Sequence, residues 1–395
     1  MSRDRASRPS PGPAGAAGHL PNLDGARGLA ALAVVADHLG HYGFLPGWPV
    51  AGLGAMGVIL FYALSGFLMG HLYLHRPFGA GAVRTYAVSR LSRVLPLFYA
   101  AIAGGLVLLA LFGASGYAFA TARDVLRNAL LIEGTGVLWS VPVEVHFYLL
   151  FVLLWLGASR GRLVGAALGL LLVCGLVGAA VWGAAPGHRY VVYYVHVFLA
   201  GCALARLRRG RPGLFVAAAA HPAVSALAWA MPVLLLAAMP AVRALSWAAP
   251  VLLLAALPAV RAGWGQTLVP IFLDPVTVGF PLLFLALALL GAGPFRALGW
   301  GPLRWLGSIS YSLYLLHMPL IFLVVGSGIP GAMPLPVAAA LTLAAALLVA
   351  WASVRLIERP AQARLKARFL PMPSRPPVPE DGAGRPRRTP APPAP

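Results

Sequence analysis

The chain has 395 residues, of which 60% are hydrophobic and only 10% are charged. A soluble domain carries about 25% charged residues, so this composition excludes a soluble globular protein. The formal net charge is +20, but the arginines interrupt hydrophobic runs or fill the two ends of the chain. Because no basic face with interleaved aromatic residues is present, we attribute the charge to membrane topology and expect no nucleic-acid partner.

The apolar runs predict a multi-pass α-helical protein of the cell membrane, embedded in the lipid bilayer. Several runs reach the ~20 residues that cross a bilayer as a helix, and none shows the repeated alternation of a β-barrel. Residues 1–21 and 369–395, rich in Pro, Gly, Ser and Arg, are predicted to be disordered. The first run is too polar for a cleaved signal peptide, so we expect it to remain as an anchor. Ten spans are predicted near Gly28–Tyr42, Ala51–Leu74, Val94–Phe112, Val137–Leu156, Leu163–Trp182, Tyr190–Leu204, Leu214–Ala238, Pro270–Leu290, Leu303–Val325 and Val337–Ile357.

A tandem duplication within residues 229–262 complicates the count of crossings. The segment Trp229–Ala244 recurs from Trp247 with two differences, so the period is 247 − 229 = 18 residues, about five helical turns. The second copy is short for a crossing, and Pro250 and Pro258 weaken it as a helix. If the second copy adds no membrane crossing, the main arginine clusters all lie on the cytoplasmic side of the membrane. The positive-inside rule therefore favours ten crossings with both termini cytoplasmic, and the alternative is eleven.

The first span carries an arginine and a histidine where a membrane helix usually has neither. A charge at mid-bilayer depth costs about 2.5–3.5 kcal/mol on insertion scales, so such residues usually face a protein interior or an aqueous cavity. Arg27 and His38 are eleven positions apart, which is about 16 Å along a helix and about 20° around it. They therefore share one face. A snorkelling arginine and a structurally satisfied histidine are the alternative.

The same span contains two acidic residues, which we interpret separately. Asp24 lies three residues before Arg27 and can pair with it at the helix mouth, in a structural or a functional role. Asp37 points about 100° away from His38, so it cannot simply orient that imidazole. We expect Asp37 to pair with another helix.

Arg90 and Arg93 lie three positions apart at the predicted cytoplasmic start of the third span. Paired guanidinium groups suit phosphate recognition, because each offers bidentate donors. Taken alone, however, the pair is better explained as positive-inside anchoring.

Two further polar clusters enter apolar runs. Glu144 and His146 begin such a run, where a carboxylate must be paired or protonated; Glu144 is placed to hold a substrate hydroxyl, an arginine or a proton. Tyr311, Tyr314 and His317 repeat every three residues along one side of a later span. They are either polar contacts between helices or the wall of a cavity.

The two cysteines are interpreted as packing residues. Cys174 and Cys202 sit inside apolar runs, without metal-ligand spacing or a disulfide framework. The sequence therefore predicts no metal site.

Six motifs in chain order resemble the acyltransferase-3 family of integral membrane O-acyltransferases. Together they cover nearly the whole hydrophobic part of the chain, and six in order make chance agreement improbable. Tyr62, where a second phenylalanine is common, and His146, where a polar or acidic residue is frequent, depart from the pattern. Longer members carry an esterase-like domain, and we expect transfer here to be completed by the membrane part or by a partner. The motifs are Leu23–His38, Phe61–Met69, Arg90–Pro96, Trp139–Tyr148, Gly307–Pro319 and Ile357–Pro360.

The resemblance implies a membrane acyltransferase domain over residues 22–368. Its expected reaction transfers an acyl group, often acetyl, from a cytoplasmic coenzyme A thioester. The expected acceptor is a hydroxyl of an envelope carbohydrate, a glycolipid or a secondary metabolite. Acyl-CoA, with acetyl-CoA the first candidate, is then a donor substrate, and no permanently bound cofactor is expected.

The resemblance also assigns roles to particular residues. Arg27 and His38 match the family's pair in the first span, Glu144 its acidic residue, and Arg90 and Arg93 the pair thought to serve the donor. His38 is expected to act as general base on the acceptor hydroxyl or to receive the acyl group itself. Arg27 is expected to contact the pantetheine-side phosphates of the donor or to order Asp24, and Glu144 to position the acceptor or to balance an arginine. Eight other polar residues are expected to line the substrate channel: Asp24, Asp37, Ser65, Ser140, Tyr148, Tyr311, Tyr314 and His317.

A proton-coupled transporter of a small molecule is the main alternative, since intramembrane ionisable residues also mark proton relays. Inverted repeats would favour a transporter, but the repeat found here is a local copy of 18 residues. A purely structural scaffold gives no reason to bury Arg27, His38 and Glu144.

Overall fold

The computed structural model describes residues 20–48, 50–184, 189–231, 234 and 275–370. All regular structure in those ranges is helical. The predicted disordered ends fall almost entirely outside the described residues, as does most of the duplication in 229–262. The first helix begins at Pro21, seven residues before the predicted span, and the last continues to Phe369.

The helices follow one another with short connections, several of which are single 3₁₀ turns. A 3₁₀ turn over Gly136–Trp139 leads directly into the fifth helix. Near the end of the chain, a π-helical turn over Val354–Glu358 joins two α-helices into one rod. The α-helices are α1 (Pro21–His41), α2 (Leu53–Tyr73), α3 (Ala80–Phe112), α4 (Ala122–Ala129), α5 (Ser140–Ser159), α6 (Leu163–Ala184), α7 (Val195–Gly210), α8 (Pro212–Ala220), α9 (Pro222–Met231), α10 (Pro275–Leu290), α11 (Gly301–Gly326), α12 (Leu335–Ser353) and α13 (Arg359–Phe369).

Six helical segments of the described residues are long and apolar enough to cross a membrane, or up to eight if each of two bent pairs is one span. One bent pair joins α8 to α9 at 73°, and the other joins α10 to the 3₁₀ turn Gly293–Gly299 at 75°. Two of the predicted spans are not long or apolar enough to be counted among these segments. The charges of Asp24, Arg27 and Asp37 make α1 too polar, and α7 has only 16 residues. A multi-pass architecture therefore follows, while ten crossings and cytoplasmic termini stay predictions.

The outer surface of the bundle is apolar, as a bilayer requires. Helix α6 exposes Leu168, Leu172 and Leu176 along one side. A contiguous apolar face of this length is unstable in water but is solvated by lipid tails. The polar residues of α1, α2, α5 and α11 are thereby left to face one another inside the bundle.

Small residues bring α1 very close to its neighbours. A Cβ built on Gly307 of α11 would lie 1.9 Å from the backbone oxygen of Asp24. At the contact between α1 and α2, a Cβ on Gly57 would lie 2.6 Å from the backbone oxygen of Ala30. Close backbone approach through small residues is typical of helix packing in membranes. It holds the ionisable face of α1 firmly against α2 and α11.

Candidate active site

Three adjoining cavities run along α1 from His38 to Arg27. The large cavity, of about 650 Å³, is lined by the end of α1, by the loop that follows it and by Met318 of α11. The middle cavity, of about 330 Å³, shares His38 and Met318 with the large one. It shares Val58 and Tyr314 with a small cavity of about 50 Å³, which Arg27 lines. Arg27 and His38 therefore line the same row of cavities.

His38 lies at the junction of the large and middle cavities, and its ring is oriented by two neighbours. Nδ1 of His38 is 2.9 Å from the backbone oxygen of Val34, one turn earlier in α1. The same nitrogen is 3.3 Å from Nε2 of His317 on α11. A backbone oxygen only accepts, so Nδ1 carries the hydrogen that Val34 receives. In neutral His38 the lone pair is then on Nε2, as a general base requires.

Asp37 pairs with the beginning of a helix. Its Oδ1 accepts a hydrogen bond of 2.7 Å from the backbone nitrogen of Gly52, the N-cap of α2. A Cβ on Gly54 would lie 2.6 Å from Oδ2 of Asp37, so the carboxylate sits directly over the first turn. A carboxylate there satisfies free N–H groups and complements the helix dipole. Asp37 thus anchors α2 beside His38 while lining two of the cavities.

Glu144 of α5 is held by two hydroxyl groups. Ser65 of α2 donates a hydrogen bond of 2.5 Å to its Oε1, and Tyr148 donates a second of 2.7 Å to the same atom. Hydrogen bonds to an ionised carboxylate are roughly twice as strong as neutral ones. Glu144 and Arg27 line the same small cavity, and the charges of Glu144 and Asp24 act on Arg27. Six residues of the sequence prediction therefore line the small cavity: Arg27, Ser65, Ser140, Glu144, Tyr311 and Tyr314.

The structure separates the two arginines of α3. Arg93 lies within the electrostatic reach of Arg27 and of Glu358. Arg90 instead lies beside Tyr73, with its guanidinium carbon 5.6 Å from the ring centroid. Its buried Nε has no hydrogen-bond partner among the described residues. The two arginines therefore have different neighbours, which spacing alone could not reveal.

Glu358 lies in the last of the six sequence motifs but had no role predicted for it. It ends the π-helical turn after α12, and Ser312 of α11 donates a hydrogen bond to its carboxylate. The charges of Arg93 and Arg27 act on it. Its position between Arg355 and Arg359, as the one acidic residue of a basic run, was the available signal. Turns of π-helix are frequent at functional sites.

The tyrosines of the later motif combine both roles that the sequence left open. The Tyr311 hydroxyl donates to the backbone oxygen of Val94 at 2.7 Å, and that of Tyr314 donates to the backbone oxygen of Val137 at 2.9 Å. Both rings also line the small cavity, as does Ser140. Their hydroxyls therefore join helices while their rings shape the cavity.

The described residues hold no group of three His, Cys, Asp or Glu side chains that could bind a metal ion. Cys174 and Cys202 are both buried and unpaired by disulfide. Cys202 packs at the contact between α2 and α7, where its sulfur lies 3.1 Å from the backbone oxygen of Gly66.

These features define a multi-pass helical membrane protein with ionisable groups around an internal row of cavities. The family model for the acyltransferase domain, Acyl_transf_3, matches residues 20–355, and the chain belongs to this family. The resemblance seen in the six sequence motifs is thereby confirmed.

Two bacterial proteins are similar to this chain over most of its length. "Putative peptidoglycan O-acetyltransferase YrhL" of Bacillus subtilis (strain 168) is 26% identical over 343 residues, which cover 77% of this chain and 49% of that protein. "Peptidoglycan O-acetyltransferase OatA" of Listeria monocytogenes serovar 1/2a is 26% identical over 374 residues, covering 87% and 56%. The chain thus spans about half the length of the curated relatives it matches. No solved structure matches it. These relatives do not favour the transporter alternative.

Proposed function

We propose that this chain is an O-acyltransferase of the cell membrane that moves an acyl group, with acetyl the first candidate, from acyl-CoA to a hydroxyl group. The acceptor class is an envelope carbohydrate, a glycolipid or a secondary metabolite. The observation that carries the proposal is His38, whose Nδ1 is occupied by Val34 and whose ring lies where two cavities meet. Membership of the acyltransferase-3 family supports it.

In the proposed reaction, Nε2 of His38 takes the proton of the acceptor hydroxyl as its oxygen attacks the thioester carbonyl. A carbon–oxygen bond forms, the carbon–sulfur bond breaks, and the thiolate of coenzyme A leaves. The proton held by His38 then passes to that thiolate, so the products are an ester and free coenzyme A. General base catalysis of this kind contributes typically 10²–10⁴-fold in rate.

The donor phosphates are proposed to bind near Arg90 and Arg93, with the thioester reaching along α1 towards His38. Guanidinium groups bind phosphate through charge-assisted hydrogen bonds, and the unpartnered Nε of Arg90 is available for one. The small cavity of about 50 Å³ holds only a few water molecules. The arm of coenzyme A therefore enters only after side chains around that cavity rotate.

The acceptor is proposed to bind in the large cavity. Its volume of about 650 Å³ is in the usual range for small-molecule sites. Trp48, which is 67% exposed, and Tyr42 give it flat aromatic surfaces, and Asp37 gives it a hydrogen-bond acceptor. Aromatic faces beside polar groups suit a sugar ring, which has apolar faces and hydroxyl edges.

The test is release of free coenzyme A from acetyl-CoA by the purified full chain in lipid nanodiscs, with soluble envelope glycan as acceptor. We expect acceptor-dependent release with the unaltered protein and loss of it in His38→Ala. The matched control is His221→Ala, because His221 is an exposed histidine in the turn before α9. Equal rates in His38→Ala and the unaltered protein would overturn the proposal, as would an absence of release with every envelope fraction supplied.

A further inference from the structure

We propose that His317 is the positioning residue for His38. Nε2 of His317 accepts the hydrogen on Nδ1 of His38, so that Nε2 of His38 stays free to act as the base. This hydrogen bond becomes stronger when His38 is charged. This inference rests on the proposed function, because it assigns a second histidine to the same proton transfer. It goes beyond that function by naming the residue that orients the general base, a task that a carboxylate performs in many enzymes.

The two imidazoles come from helices that are distant in sequence and adjacent in space. Nδ1 of His38 and Nε2 of His317 are 3.3 Å apart, and the ring centroids are 5.0 Å apart with an angle of 54° between the planes. Nδ1 of His317 is 3.1 Å from the backbone oxygen of Leu313, one turn earlier in α11. His317 is fully buried, so water does not compete for these contacts.

The two backbone oxygens determine where the hydrogens lie. Val34 accepts from Nδ1 of His38, and Leu313 accepts from Nδ1 of His317, because a carbonyl oxygen cannot donate. With its hydrogen on Nδ1, neutral His317 presents a lone pair on Nε2. That lone pair faces the Nδ1–H of His38, which is then shared between Val34 and His317.

Other arrangements place like groups against each other. If His317 carried its hydrogen on Nε2, two N–H groups would meet and the oxygen of Leu313 would face a lone pair. If His38 carried its hydrogen on Nε2, its Nδ1 lone pair would face the oxygen of Val34. A buried polar group left without a partner costs about 1–3 kcal/mol, so the assigned tautomers are favoured.

This arrangement has a chemical consequence when His38 accepts a proton. The new imidazolium carries hydrogens on both nitrogens, and its Nδ1–H donates more strongly to Nε2 of His317. A base oriented by a third group is the general logic of nucleophile activation, and the third group is usually a carboxylate. Here it is a neutral imidazole, because the nearby carboxylate of Asp37 is engaged by Gly52. The general base therefore works without a buried negative charge.

The test compares two substitutions of His317 in the nanodisc assay. His317→Leu introduces an apolar side chain that cannot accept a hydrogen bond, whereas His317→Gln can return an acceptor oxygen near the position of Nε2. We expect kcat to fall about 10²-fold in His317→Leu and to recover partly in His317→Gln. KM for donor and acceptor should change little, because His317 lines none of the three cavities described above.

A second measurement keeps the inference testable if His317→Leu fails to fold. Solid-state nitrogen-15 NMR of the unaltered chain with labelled histidine reports the tautomer of His38, assigned by the signals lost in His38→Asn. We expect a hydrogen on Nδ1 and none on Nε2. The inference is overturned if His38 carries its hydrogen on Nε2, or if folded His317→Leu keeps the unaltered kcat. The proposed function fails separately, when His38→Ala itself retains transfer.

Discussion

Nδ1 of His38 lies 3.3 Å from Nε2 of His317, although the two residues are 279 positions apart in the chain. The contact joins the first and a late helix at the place where two cavities meet. It places the two imidazole rings side by side within the bundle. The surrounding residues then have separate and testable tasks.

Asp37 is expected to stabilise the start of α2 and, through it, the wall of the His38 cavities. Asp37→Ala removes the acceptor for Gly52 and should lower the free energy of unfolding by about 1 kcal/mol. Asp37→Asn retains an acceptor oxygen and should lose clearly less. Thermal unfolding in detergent measures both. Equal losses in the two variants would mean that the cap is not the role of Asp37.

Gly307 is expected to tolerate no side chain, because its neighbour is a backbone atom that cannot move alone. Gly307→Ala would place a Cβ 1.9 Å from the oxygen of Asp24 and force α11 away from α1. We expect a loss of about 1–3 kcal/mol in the free energy of unfolding. Gly326→Ala on the same helix is the matched control, since nothing lies within 4 Å of its Cβ position. A control as damaging as Gly307→Ala would contradict the close contact.

Arg90 and Arg93 are expected to give different phenotypes. A guanidinium–phosphate contact is worth about 1.5–3 kcal/mol, so Arg90→Ala should raise KM for acetyl-CoA about ten- to hundredfold with kcat little changed. Arg93→Ala should lower kcat as well, because Arg93 shares its surroundings with Arg27 and Glu358. Arg84→Ala, an exposed arginine of α3, is the control. Identical kinetic changes in the Arg90 and Arg93 variants would contradict this difference between the two arginines.

Glu144 is expected to act through its charge and also through its shape. Glu144→Gln keeps an oxygen for Ser65 and Tyr148 but removes the negative charge that acts on Arg27. We expect transfer to fall more in Glu144→Gln than in Ser65→Ala, which removes one hydrogen bond and retains the charge. Steady-state kinetics of the two variants measure this difference in transfer. A larger loss in Ser65→Ala would assign Glu144 a role in packing only.

Trp48 is expected to recognise the acceptor and not the donor. Trp48→Ala should raise KM for the glycan about two- to tenfold, the range of 0.5–1.5 kcal/mol for an aromatic contact, with KM for acetyl-CoA unchanged. Trp300→Ala is the matched control, because Trp300 is similarly exposed at 65% but lines no described cavity near α1. A change in the donor KM instead would move the acceptor site away from the large cavity.

Much of the architecture was readable from local pattern. A bilayer leaves no water for unpaired backbone groups, so long apolar runs are helical wherever they occur. The shared face of Arg27 and His38 followed from the helical period, and both do line one row of cavities. The six motifs likewise led to the family that residues 20–355 match. These features depend on residues that lie within a few helical turns of each other, or on the order of residues in the chain alone.

Tertiary structure decided which of the polar residues meet. Asp37 was expected to pair with another helix, and only the approach of α2 showed that it binds backbone N–H at that helix's start. Arg90 and Arg93 lie three positions apart on α3, yet Arg90 lies beside Tyr73 whereas the charge of Arg93 acts on Glu358. The contact of His38 with His317 needs α1 and α11 side by side. Helical periodicity determines the face that a residue occupies, whereas its partner depends on which distant helix packs there.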